Sequence, residues 1–133
     1  QKYVSMVDII AEEKNVKNFM RMEKWIFDSP DQAGEAFRQF IKDIFQQNKL
    51  VEGGLKIGKH PVDLADLHVP ILNIFAEQDH LVPPEASKAM RKLVGSKDYT
   101  ELSFPGGHIG IYVSGKAQAT VTPAISEWLN KRT

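Results

Sequence analysis

Asp79 and His108 are the two residues of this 133-residue chain whose types, spacing and surroundings could do chemistry together. Asp79 follows an apolar run in ILNIFAEQDHLVPP (71–84), and His108 stands among glycines in FPGGHIG (104–110). A carboxylate just past a strand end can accept a hydrogen bond from an imidazole N–H, which fixes the tautomer and stabilises the imidazolium formed when the ring takes a proton. The imidazole is then a suitable general base, since histidine changes charge near neutral pH. A lone aspartate in a turn reads more simply as a solvated turn residue. Here Leu81, Val82, Pro83 and Pro84 give the loop a stiff apolar exit that a plain surface turn does not need. Glu77 and Gln78 are weaker candidates, because the strand end and the loop crest both favour Asp79. Gly106 and Gly107 predict a sharp turn before His108, with Gly110 leaving room beyond it.

Such a pair needs two strand ends held side by side. The run 69–76 is almost continuously apolar, as in a strand buried on both faces of a parallel sheet. Pro83-Pro84 close the next loop, 85–94 reads as a helix with Gly95 just past its end, and 99–104 reads as the second strand. Thr122-Pro123 predicts the start of a final helix with Ile125, Trp128 and Leu129 facing inward, preceded by a shorter helix at 115–121. A strand–helix–strand unit of this kind implies parallel neighbours.

Before Pro61 the signals are helical. Met6, Ile9, Ile10, Val16, Phe19 and Met20 recur mostly at three- and four-residue spacings, predicting an amphipathic helix. Ser29-Pro30-Asp31-Gln32 has the order of a capped helix start, and Phe37, Phe40, Ile41, Ile44 and Phe45 form a wide apolar stripe after it. Gly53, Gly54 and Gly58 make 51–59 a turn or a short hairpin. Two organisational segments follow: 1–60, helical and cap-like with a return to the core, and 61–133, core carrying both loops. Two strands alone do not make a stable covered sheet. More sheet is therefore expected than these residues contain, and an uncovered edge favours self-association as a homo-oligomer.

A triad built in the order nucleophile, acid, histidine is the arrangement of α/β-hydrolase folds, where the nucleophile sits on a sharp strand-to-helix turn between small residues. No G-x-S-x-G or G-x-C-x-G occurs here. Before Asp79 the serines are Ser5, near the start of an amphipathic helix, and Ser29, read as a cap. The expectation is that the nucleophile lies upstream of Gln1, which is itself no initiator methionine. His60 precedes Pro61 in a polar turn and His68 precedes the first strand, so both read as surface residues. His80 adjoins Asp79 and is expected to line the same cleft as a neighbour, not as the base. A metal site from Asp79, His80 and His108 lacks the ligand spacing of zinc sites, so neither metal nor cofactor is expected.

Seventeen basic residues balance seventeen acidic ones, which supplies no field for nucleic acid or an anionic membrane. No apolar run approaches the roughly 20 residues that span a bilayer. With no cysteine there is neither disulfide nor thiolate metal site, which fits a cytoplasmic protein.

Three stretches resemble one family: AEQDHLVPP (76–84), FPGGHIGIYVSGKAQ (104–118) and EKWIFDSPDQAGEAFRQFIKDIFQQNKL (23–50). They are similar to the C-terminal part of polyhydroxyalkanoate synthases, and closest to the two-subunit types, class III or class IV, whose histidine loop reads GGHIG. The resemblance covers essentially the whole chain. It implies an α/β-hydrolase core with a mobile cap, and polymerisation of (R)-3-hydroxyacyl-CoA into polyester with release of CoA. It also implies a second synthase subunit and a cytoplasmic place at the surface of polyester granules. The family's nucleophile is a cysteine assisted by a histidine and an aspartate, which map onto His108 and Asp79. The aspartate is often assigned to activating the 3-hydroxyl as well. The cysteine's part of the chain is absent here, so these residues alone are expected to be inactive. Trp25 and Asp28 lie in a W-x-x-D segment like one in the family, but core packing and a helix entry account for both.

Two other readings compete. One is an esterase or acyltransferase of the same fold, with a serine nucleophile on an upstream segment. The other is a non-catalytic interaction module, whose apolar segment 33–45 would bind a partner or a granule surface.

Overall fold

The structure is a computed structural model that describes residues 13–132. The described residues divide into two compact units, with the boundary between Phe40 and Ile41.

In the first unit, α1 (Glu13–Phe27) is an amphipathic helix with Val16 and Phe19 partly buried. Met6, Ile9 and Ile10 lie outside the described residues. Trp25 is 57% exposed, so core packing does not account for it, and Asp28 follows the end of α1 instead of opening a helix. The next helix, α2 (Gly34–Gln39), begins later than Ser29-Pro30 suggested. Its first residues have no side-chain cap, and the Phe37 N–H bonds the Ala33 carbonyl at 3.0 Å. A Glu35–Arg38 ion pair holds the first turn in place of the capping box.

Phe40–Gln46, nearly all of it in the second unit, is π-helical and is closed by a bond from Gln47 N–H to the Lys42 carbonyl at 3.0 Å. Widening the helix to i→i+5 changes the phase of the expected apolar stripe. Ile41 and Ile44 are partly buried, whereas Phe37, Phe40 and Phe45 are exposed. A single turn, α3 (Lys49–Glu52), then leads to Gly53 and Gly54, both at positive φ where only glycine is at ease. β1 (Lys56–Ile57) and β2 (His60–Pro61) then pair as a small antiparallel hairpin.

The sheet that matters joins β3 (Ile71–Ala76) and β4 (Tyr99–Phe104), which run parallel with Ile71 opposite Tyr99 and Ala76 opposite Phe104. β3 starts two residues later than its apolar run, since Pro70 has no N–H to give a ladder. Between the strands lies α4 (Pro84–Ala89), with a 3₁₀ turn at Met90–Lys92. Side chains alternate between the two faces, as strand geometry requires. On one face the Asn73 amide donates to the Ser87 carbonyl of α4 and to the Tyr99 hydroxyl, both at 2.9 Å, and the Lys88 ammonium lies 5.1 Å from the centre of the Phe75 ring.

On the other face Ala76 and Phe104 bury against Ala117 and Val121 of the last helix, with Ile74, Leu102, Ile111 and Ile125 around them. That helix, α6 (Gly115–Asn130), is continuous, so Pro123 lies inside it and starts nothing. Ser114 caps it by accepting from the Ala117 N–H at 3.1 Å. Proline removes one helical hydrogen bond and normally costs about 3 kcal/mol in a helix interior. Here it sits on the exposed side, while Val121 and Ile125 on either side of it pack on the sheet. Trp128 donates to the Thr100 hydroxyl at 3.1 Å and is partly buried, but Leu129 is exposed, not inward-facing. Among the described residues no helix is long and apolar enough to cross a membrane.

A candidate acid–histidine site at the strand ends

The register that aligns Ala76 with Phe104 brings both strand ends to one level. Pairing then continues into the loops: Glu77 N–H bonds the Phe104 carbonyl, and Gln78 N–H bonds the Gly106 carbonyl, each at 2.9 Å. The next residue on one side is Asp79, and two residues on along the other is His108. The His108 Nδ1 lies 2.8 Å from Asp79 Oδ2. The two side chains singled out in the sequence therefore meet.

Asp79 is also held without His108. Asp79 Oδ1 accepts from the N–H groups of Leu81 and Val82, both at 2.9 Å, an aspartate turn that fixes the carboxylate. The Asp79 side chain is 8% exposed and that of His108 35%. Burial pushes the Asp79 carboxyl up, but the Val82 N–H, the His108 imidazole and the Leu81 N–H together outweigh it, and its pKa lies below the usual carboxylate value. An ionised carboxylate only accepts, so the proton between the two belongs to Nδ1. Nε2 of neutral His108 then carries the lone pair, which is the form a general base needs.

The chain turns sharply before His108 as expected, with the Gly106 N–H bonded to the Phe104 carbonyl at 2.9 Å, but the turn needs no left-handed backbone. Neither Gly106 nor Gly107 has a positive φ. Gly106 is required for space, since a Cβ there would lie 2.4 Å from Cε1 of Phe104, a core residue only 3% exposed. Gly106→Ala should therefore force the ring or the histidine loop to move, at a cost of about 1–3 kcal/mol. A lower unfolding midpoint by circular dichroism or calorimetry is the expected reading, and an unchanged midpoint contradicts it.

Beside the pair lies a cavity of about 130 Å³, lined in part by Val82, Ile111 and Tyr112. Tyr112 escaped the sequence reading, although its position four residues after His108 on a helical stretch was a usable signal. The N–H groups of Leu81 and Val82 were also missed as partners, though an aspartate two and three residues before them is the pattern of such a turn. His80 and His60 are exposed, and His68 bonds the Gly95 carbonyl through Nδ1 at 3.1 Å, away from the pair. Ser29 follows α1 in an exposed segment, and Ser5 lies outside the described residues. Among the described residues no three His, Asp or Glu side chains converge as metal ligands.

Comparisons with known proteins bear on the family of the chain. The chain is 67% identical over 132 residues to the poly(3-hydroxyalkanoate) polymerase subunit PhaC of Allochromatium vinosum, a match covering 99% of this chain and 37% of that protein. The subunit of the same name from Thiocystis violacea is 64% identical over 132 residues, with the same coverage. That of Haloferax mediterranei is 44% identical over 131 residues, covering 98% of this chain and 27% of the relative. The chain thus spans little more than a third of the length of its most similar relatives here. No solved structure matches it. A family model described as alpha/beta hydrolase fold matches residues 3–114, a span that includes both parallel strands, the acid loop and the histidine loop. With parallel strands delivering an aspartate and then a histidine to one point, and that model covering most of the sequence, this chain belongs to the α/β-hydrolase fold family.

Proposed function

We propose that these residues supply the acid and the histidine of a poly(3-hydroxyalkanoate) polymerase, whose nucleophile comes from a segment outside them. The 2.8 Å bond between Asp79 and His108 carries the reading, supported by 67% identity to a subunit of that name. His108 takes the thiol proton of a cysteine through Nε2, and the thiolate attacks the thioester carbonyl of (R)-3-hydroxyacyl-CoA. The tetrahedral intermediate collapses with departure of the CoA thiolate, which receives the imidazolium proton and leaves an acyl-enzyme. His108 then takes the proton of an incoming 3-hydroxyl, whose oxygen attacks the acyl group; the acyl carbon–sulfur bond breaks, the departing cysteine thiolate takes the proton back from the His108 imidazolium, and the polyester is longer by one ester bond. Asp79 holds His108 in the required tautomer or assists that hydroxyl directly.

In this reading 61–133 is the core part that carries the loops, and 1–60 belongs to a cap and its return. A second synthase subunit and the surface of a polyester granule are the partners, in the cytoplasm, and no metal or cofactor takes part. Incubating an intact subunit that contains this chain with (R)-3-hydroxybutyryl-CoA tests the proposal. CoA release with accumulating polyester, and no release by the 133 residues alone, is the expected result. Release of free hydroxy acid without polymer would favour the esterase, and turnover by the isolated chain would contradict the external nucleophile.

A further inference from the structure

His108 has a second neighbour with no assigned purpose. Tyr112 stands on α5 (Gly110–Val113), four residues after the histidine. Backbone bonds from Ile111 N–H to the Gly107 carbonyl (3.3 Å) and from Tyr112 N–H to the Ile109 carbonyl (3.1 Å) shape the turn between them. Residues four apart on a helical turn share a face. The imidazole and phenol rings accordingly meet edge-on, with centroids 6.5 Å apart and planes at 74°. That geometry lies within the range of T-shaped aromatic pairs.

Tyr112 is 70% exposed, so its ring adds little to the core. What it does adjoin is the site, where it lines the cavity beside Asp79 and His108. The imidazole needs such a neighbour. A single hydrogen bond to Asp79 fixes where Nδ1 sits but leaves the ring free to swing about that contact, and the ring is 35% exposed. An aromatic edge set T-shaped against the imidazole on a second side opposes that swing. We propose that Tyr112 is a positioning residue for His108, its ring holding the imidazole so that Nδ1 stays on Asp79 while Nε2 remains aligned for proton transfer. The proposal rests on the catalytic reading of His108, since an imidazole with no task needs no alignment.

The aromatic ring, and not the hydroxyl or mere bulk, is the feature required. Three variants of an intact subunit, assayed by CoA release from (R)-3-hydroxybutyryl-CoA, separate these possibilities. Tyr112→Ala should lower kcat about three- to tenfold with KM unchanged, the scale of one aromatic pair. Tyr112→Leu keeps apolar volume without a ring and should be as slow. Tyr112→Phe keeps the ring and should restore the rate. A wild-type kcat in Tyr112→Ala overturns the proposal, as does rescue by leucine, which would mean bulk, or failure of phenylalanine, which would mean the hydroxyl. His108→Ala run alongside keeps the two readings apart. If that variant is inactive while Tyr112→Ala is normal, only the positioning role falls; if His108→Ala is fully active, both fall.

Discussion

Replacing His108 by alanine in an intact subunit containing this chain is expected to cut CoA release about 10²- to 10⁴-fold while leaving the fold in place. The side chain is one-third exposed and its hydrogen bond goes to Asp79, which keeps two backbone donors when the imidazole is removed. The loss is that of one general base. It falls unequally on the two half-reactions. A free cysteine is a few per cent thiolate at neutral pH, so some attack on the thioester survives without help. A hydroxyl has no such reserve, and extension of the polyester ester by ester should suffer most. Steady-state CoA release should therefore drop further than the first acylation does. Equal activity of wild type and variant would remove His108 from the mechanism.

Asp79→Asn is expected to be almost as damaging, up to about 10⁴-fold, by a different route. Asparagine can keep its oxygen on the N–H groups of Leu81 and Val82, so the loop has little reason to move. Its amide nitrogen then faces Nδ1 of His108, and two donors cannot share a hydrogen bond. The imidazole must adopt the other tautomer, with the proton on Nε2, where it can no longer accept one. The Asp79 pKa is depressed, so its carboxylate stays ionised throughout the neutral range and remains an acceptor for the Nδ1 proton. Near-normal turnover by Asp79→Asn, with circular dichroism matching wild type, would contradict this account of the aspartate.

The part of this architecture that depends on local pattern was legible in the sequence. The run Tyr99–Phe104 is the strand read from its residues, and the loops holding Asp79 and His108 leave the sheet where the apolar runs stop. Proline misled where tertiary packing overrode local signals. Pro123 reads as a helix start, yet α6 runs through it, because Ala117 and Val121 before it and Ile125 after it share one buried face. Ser29-Pro30 reads as a capped start, but the helix begins at Gly34. Gly106 reads as a turn residue, and at that turn what requires glycine is room for the Phe104 ring. The π-helical turn Phe40–Gln46 has no signature at three- and four-residue spacings, so the phase of the aromatic stripe there was not predictable. Convergence of the two functional side chains depends on strand register, which neither loop encodes alone. Triad order suggested it, and the Ala76–Phe104 pairing accomplishes it.

The most direct test of a single acid–base unit is a double-mutant cycle in the intact subunit, comparing His108→Ala, Asp79→Asn and the two combined by CoA release. Groups that act only through each other lose their effect together. The double variant should be no slower than His108→Ala alone. Losses that multiply, so that the double variant falls by the product of the two single factors, would show the aspartate and the histidine working independently and would contradict the central claim.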